Sequence, residues 1–193
     1  MVLDHSNDML YICDTGNQRI IRMNINAGEI GNDLDTYGEN IEGYYSMIGA
    51  DFETVIDSGL VSPTGIDIYN TFLLVSDYST GDIHIYDLEP TNQFQLIHKL
   101  GTDIIDDLMS IKVGPDGTIW FVSTNANKLY QILPPMNGDF DGDNSITLND
   151  FISLLSHIIN SNSMSEEYLF LADLDYNSAI DIFDLVLLLN SIN

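Results

Sequence analysis

The 193-residue sequence predicts a multi-domain protein, a mainly β N-terminal part followed by a small α-helical C-terminal domain. Three observations carry that expectation. Up to about residue 133, short apolar runs alternate with Gly, Asn, Asp and Pro turns, and no long helical period emerges. A fourteen-residue pattern recurs three times within that part. After Pro134-Pro135-Met136-Asn137-Gly138, acidic clusters alternate with apolar stretches of helical spacing, and Lys and Arg disappear. The expected boundaries are 1–133 for the β part, 134–138 for a Pro/Asn/Gly linker and 139–193 for the helical domain.

The recurring pattern is an apolar strand, a polar turn and a second strand. Its copies are Leu10 to Met23, Leu73 to Tyr86 and Ile119 to Ile132, offset by 63 and then 46 residues. A further strand precedes two of them, at Gly65 to Tyr69 and Met109 to Val113, and Gly114-Pro115-Asp116-Gly117 reads as a hairpin turn. The longer first offset marks an insertion, and the opening strand of the first copy is expected at or before Met1. Spacings near 40–50 residues are those of propeller blades.

Pro63-Thr64-Gly65-Ile66 and Tyr11-Ile12-Cys13-Asp14-Thr15-Gly16-Asn17-Gln18-Arg19-Ile20 resemble NHL-type β-propeller repeats over about residues 2–133. The third copy departs, with Ser123 where Asp14 and Asp77 stand and Lys128 in place of the Arg. The resemblance implies a partial propeller of three blades, since closure takes about 4–8. Two arrangements satisfy it: the chain is the C-terminal part of a longer propeller, or an open three-blade sheet is completed by self-association. The recurrent Asp14, Asn17 and Asp77 are read as turn-capping residues rather than ligands around a channel. Asp103, Asp106 and Asp107 are expected to form a solvated acidic turn. Arg19 and Arg22 are expected to pair with acids, Tyr44 and Tyr45 to pack, and Cys13 to be an inert buried thiol. His5, His84, His98 and His157 have no metal-ligand spacing, no catalytic elbow appears, and no catalytic residue is assigned.

The tail repeats as well. Asp139-Phe140-Asp141-Gly142-Asp143-Asn144-Ser145-Ile146-Thr147-Leu148-Asn149-Asp150 is followed 34 residues later by Asp173-Leu174-Asp175-Tyr176-Asn177-Ser178-Ala179-Ile180-Asp181-Ile182-Phe183-Asp184. Oxygen side chains fall at positions one, three, five, nine and twelve of both loops, with an apolar residue at eight. This is EF-hand-like calcium-loop spacing, because alternate residues of a tight loop point inward and Ca²⁺ takes six to eight oxygens. The candidate ligands are Asp139, Asp141, Asp143, Ser145 (through its carbonyl), Thr147 and Asp150 in the first loop. In the second they are Asp173, Asp175, Asn177, Ala179 (through its carbonyl), Asp181 and Asp184. Ile146 and Ile180 are expected to join the loops by a short β-like contact. Asn144 tolerates the sharp turn at position six better than Ser178, so the second site is expected to be weaker. A helix should follow each loop. Leu148 to about Ile159 would bury Phe151, Leu154, Leu155 and Ile158, and Ile182 to about Ile192 would bury Leu185, Leu188, Leu189 and Ile192.

Loop, helix, spacer, loop and helix in about 55 residues, without a helix entering the first loop, resemble a type I dockerin domain over 138–193. The resemblance implies two Ca²⁺ ions and a cohesin-like or surface scaffold partner, met by positions ten and eleven of each loop. Those are Leu148-Asn149 and Ile182-Phe183, not a Ser-Thr pair, and they are equally readable as core.

The formal net charge is -25, from 30 acidic and 5 basic residues. Ten acids and no bases lie in 139–193, leaving 5 - 20 = -15 for residues 1–138. Such a chain repels the phosphate backbone and anionic membranes, so nucleic-acid binding is excluded. No run approaches the ~18 apolar residues of a membrane span. One cysteine permits no internal disulfide, and Met1 to Asp8 lacks the features of a signal peptide. The expected function is a calcium-binding, non-catalytic, extracellular or cell-surface attachment protein. The alternative is the C-terminal part of a carbohydrate-active, lyase or hydrolase propeller enzyme carrying a dockerin.

Overall fold

The computed structural model describes residues 1–34, 45–91, 93–159, 164, 166–169, 171–177 and 179–192. Contacts divide the chain into two compact units, Met1–Leu133 and Pro134–Asn193. The first is mainly β. Its first sheet has the order β1-β2-β3-β6, with β1 Val2–Asp4, β2 Met9–Asp14, β3 Arg19–Asn24 and β6 Phe52–Ile56. The second runs β7-β8-β9-β10, with β7 Pro63–Tyr69, β8 Phe72–Asp77, β9 Asp82–Asp87 and β10 Leu96–Gly101. The third runs β11-β12-β13, with β11 Leu108–Val113, β12 Ile119–Ser123 and β13 Lys128–Ile132. All pairings are antiparallel, and the three sheets do not close a ring.

One expectation is corrected here. The opening strand of the first copy lies after Met1: β1 pairs Leu3 with Leu10, and it needs only three residues because the turn at Asp4 to Asp8 follows at once. The insertion has structure of its own. It carries a separate hairpin of β4 Glu29–Asp33 and β5 Tyr45–Ile48, then returns as β6, the fourth strand of the first sheet. Tyr45 is exposed on β5, and Tyr44 lies outside the described residues.

The side-chain period of a strand explains the packing. Along β8, Leu73 and Val75 enter a core shared with Tyr11 and Ile20 of the first sheet. Leu74, between them, enters a second core with Ile111, Ile119 and Phe121 of the third. The second sheet is therefore covered on both faces, and Leu73 to Asp77 are all buried. Such a strand reads as a continuous apolar run rather than an alternation.

Polar ties lie along the seams between sheets. Thr15 Oγ1 donates to the Pro63 carbonyl at 2.6 Å. Thr64 Oγ1 donates to the Leu108 carbonyl at 3.0 Å, and Ser76 Oγ donates to that of Met109 at 3.0 Å. Asp67 accepts from Lys112 Nζ at 2.9 Å and the Val113 amide at 2.8 Å. The second and third sheets approach so closely that a Cβ on Gly65 would stand 2.6 Å from the Ile111 nitrogen and 2.9 Å from Ser110 Cα. The glycine of the Pro-x-Gly pattern is thus a sheet-contact residue.

His84 on β9 is buried, stacks on Tyr86 at 6.2 Å, and has neither ring nitrogen in a hydrogen bond. Burial lowers its pKa, the Asp77 and Asp82 carboxylates oppose that shift, and Lys99 adds to it.

The second unit is built on Phe140, Leu154, Leu171, Ala172, Leu185 and Leu188. Its helices are α1 Leu148–Ile158, α2 Glu166–Leu169 and α3 Ile182–Ser191. Phe151, Leu155 and Ile158 join Leu154 against this core as expected, but Leu189 is exposed. Toward the end of α3 the buried stripe narrows to Leu188. The expected linker is partly drawn into this unit, for the Gly138 amide donates to the Leu171 carbonyl at 3.1 Å and Asn137 Nδ2 to Tyr176 Oη at 2.8 Å.

Two outcomes follow from this packing. Gly65→Ala forces two backbones apart and should destabilise the first unit by about 1–3 kcal/mol in urea melts. His84 remains neutral in the folded chain below the ordinary histidine value of about 6.5, whereas the unfolded chain takes up the proton there. Its stability contribution is complete above that value and is lost as pH falls from it toward the depressed folded pKa. His84→Phe should flatten the pH dependence of the urea midpoint in that window.

Candidate metal centre

The recurrent polar residues of the first unit prove to be staples. Asp14 accepts from Asn17 Nδ2 at 3.0 Å and Arg19 Nε at 2.7 Å, and the arginine holds its carboxyl below the usual value. Fully buried Asp77 accepts from the Val61 and Ser62 amides at 2.6 and 3.1 Å and from the Ser79 and Thr80 amides at 3.1 and 3.3 Å. It thereby clamps the turn after β8 to the segment entering β7.

Asp107 corrects the expectation of a solvated turn. It is buried and accepts from the hydroxyls of Ser123 and Thr124 and the Asn125 amide. Burial raises its pKa, but these bonds outweigh it and hold the carboxyl at about 2. The third sheet thus makes the same clamp from the other side of the junction, which is why Ser123 can replace an aspartate there. Arg22 pairs with Glu53 and lies 5.1 Å from the Phe94 ring, as its pairing role anticipates. Burial pushes the half-buried Cys13 thiol up to about 11, so it stays protonated. His84 borders a pocket of about 360 Å³ with Tyr86 and Phe94, but both its ring nitrogens are sealed from solvent. It serves there as packing.

The acidic loops of the second unit differ from these staples. One carboxylate oxygen each of Asp139, Asp141 and Asp143 lie within 4.8 Å of one another, and so do those of Asp173, Asp175 and Asp184. Short backbone bonds shape each loop. Asp139 accepts from the amides of Gly142 and Asn144, both at 2.8 Å, and Asp143 from Ser145 at 2.8 Å. In the second loop Asp173 accepts from Asn177 at 3.0 Å, and the Asn177 side chain from Ala179 at 2.8 Å. Asn144 takes φ +63°, the left-handed turn anticipated at position six. Its counterpart Ser178 lies outside the described residues.

Position four needs a left-handed residue in both loops, Gly142 at φ +73° and Tyr176 at φ +57°. The second loop therefore holds a bulky residue where the first has glycine, at a cost of about 1–2 kcal/mol.

Positions nine and twelve have a second role. Thr147 is the N-cap of α1 and Asp150 closes a capping box with it; Asp181 and Asp184 do the same for α3. Asp150 accepts from Phe140 N at 2.7 Å and Thr147 N at 2.8 Å, and Asp184 from Leu174 N at 2.7 Å and Asp181 N at 2.8 Å. The signal for this was present in Thr-x-x-Asp and Asp-x-x-Asp ahead of apolar runs. Asp150 does not join the first trio, whereas Asp184 joins the second. Ile146 and Ile180 pack against the core, and among the described residues no backbone hydrogen bond joins the two loops. The expected β-like contact is replaced by side-chain packing.

Lost hydration first, and then repulsion from Asp150, Asp143 and Asp139, raises the Asp141 pKa against the opposing bond from the Asp143 amide. Crowded oxygen donors without nitrogen or sulfur ligands fit a hard divalent cation. The clusters thus have the donor chemistry for a metal ion.

Comparison with models of known protein families and with curated proteins finds no match.

Removing the Thr147 N-cap tests the helix start, and it removes one candidate ligand at the same time. Thr147→Ala should lower the thermal stability of the α1 region by about 0.5–2 kcal/mol, read by circular dichroism at 222 nm.

Proposed function

We propose that the chain is a calcium-binding, non-catalytic attachment protein, in which the second unit is a dockerin-like module and the first an NHL-like partial propeller. The observation that carries this reading is the paired loop, with three carboxylates drawn within 4.8 Å in each copy and a helix starting at the same position of each. Eight aspartates in two small loops repel one another, and two Ca²⁺ ions would move the formal charge from -25 to about -21. Asp139, Asp141, Asp143 and Asp150 would hold one ion with the Ser145 carbonyl and Thr147. Asp173, Asp175, Asp184 and Asp181 would hold the other with Asn177 and the Ala179 carbonyl.

The docking part of the reading rests on exposed apolar residues in the first turns of both helices. Leu148 is 60% exposed, Ile182 55% and Phe183 64%, so these residues face solvent and are not core. Apolar side chains in such positions suit a protein partner of the cohesin or surface-scaffold kind. Aspartate rather than glutamate at position twelve suits the weaker calcium affinities of extracellular modules, in keeping with an extracellular or cell-surface location.

Calorimetry of the full chain with CaCl₂ should resolve two sites, the second weaker. Asp143→Asn and Asp175→Asn should each weaken one site and leave the other. A chelator should lower the 222 nm signal, and unchanged helicity together with the absence of binding heat would refute the reading.

A further inference from the structure

The three copies of the repeat occupy equivalent positions in consecutive sheets, so each face can be compared residue by residue. Tyr11 and Leu74 correspond to Trp120, and Ile20 and Ile83 to Leu129. The first two of each set point toward the following sheet and are 1%, 4%, 0% and 0% exposed. Trp120 is 39% and Leu129 63% exposed, and neither belongs to a core cluster. The opposite face behaves the same way. Leu73 and Val75, like Ile119 and Phe121, are buried against the preceding sheet, whereas the equivalent Leu10 and Ile12 are half-buried and outside every cluster. Among the described residues, the first unit therefore repeats one interface twice and ends in its two unpaired halves.

We propose that these two faces bind each other between two copies of this chain, head to tail, with Trp120 and Leu129 of one copy set against Leu10 and Ile12 of its partner. Complementarity is already demonstrated within the chain, because the same positions pack at both internal seams. Stoichiometry follows from the sheet count. Closed rings of such sheets have about 4–8 members, and six is the multiple of three in that range. Two copies close it with two identical heterologous contacts.

Sedimentation or light scattering of the full chain should give twice the 21.6 kDa chain mass. Leu129→Asp and Ile12→Asp alter opposite halves of the contact. Each alone should weaken the dimer about tenfold or more, the loss expected from one buried aliphatic side chain. Mixing the two variants should restore a dimer, because one wholly intact contact remains. Trp120→Thr keeps strand propensity and serves as the second tail variant, with far-UV circular dichroism confirming the fold. A monomeric wild-type chain overturns the proposal and assigns the faces to other sheets. A dimer that the mixture fails to restore overturns it in favour of a face-to-like-face contact.

Discussion

A strand that hides both of its faces needs a sheet on either side, and β8 is such a strand. Leu73 and Val75 close one core and Leu74 another, so moving the register by one residue would exchange the two sets and empty both seams. The surrounding features follow from this demand. Gly65 lets the third sheet approach within van der Waals limits. Asp77 ties the end of β8 back to the entry of its own sheet, and Ser76 bonds forward to the next. The outer sheets inherit the pattern with one face each left over.

The three strand-turn-strand copies were legible because apolar spacing and turn residues agree over fourteen positions in each. The fourth strand of the first sheet was not, since β6 is separated from β3 by an insertion with its own hairpin and no repeat signal. Asp107 escapes the sequence pattern for a related reason. Composition places three acids in one turn, whereas the hydroxyl and amide donors that bury one of them come from the last residue of β12 and the turn after it. Position-by-position matching treats Ser123 as a loss, although the junction keeps its carboxylate by taking it from the facing segment.

In the second unit, loop spacing exposed the acidic clusters, and helical periodicity exposed most of the core. What spacing alone left unseparated is the double use of positions nine and twelve. A carboxylate at N3 of a helix accepts amide bonds for the same reason that it attracts a cation, so one sequence pattern encodes both. Asp150 and Asp184 therefore join loop and helix into one element. Leu148, Ile182 and Phe183 were legible as apolar but not as exposed, because facing is set by how α1 and α3 share the small core around Leu154 and Leu188.

Four of the five cationic side chains are matched to acids: Arg19 to Asp14, Arg22 to Glu53, Lys99 to Asp82 and Lys112 to Asp67. These pairs consume most of the positive charge within the first unit, so the field seen from a distance is negative in nearly every direction. Encounter kinetics follow from that field. A basic partner would be steered inward and would arrive more slowly as salt rises, whereas an acidic one, including another copy of the chain, must climb a repulsive potential. For the latter, added electrolyte removes the barrier over a Debye length that shrinks from about 8 Å at physiological ionic strength to about 3 Å at 1 M. Collision between like chains thus becomes faster in brine than in dilute buffer.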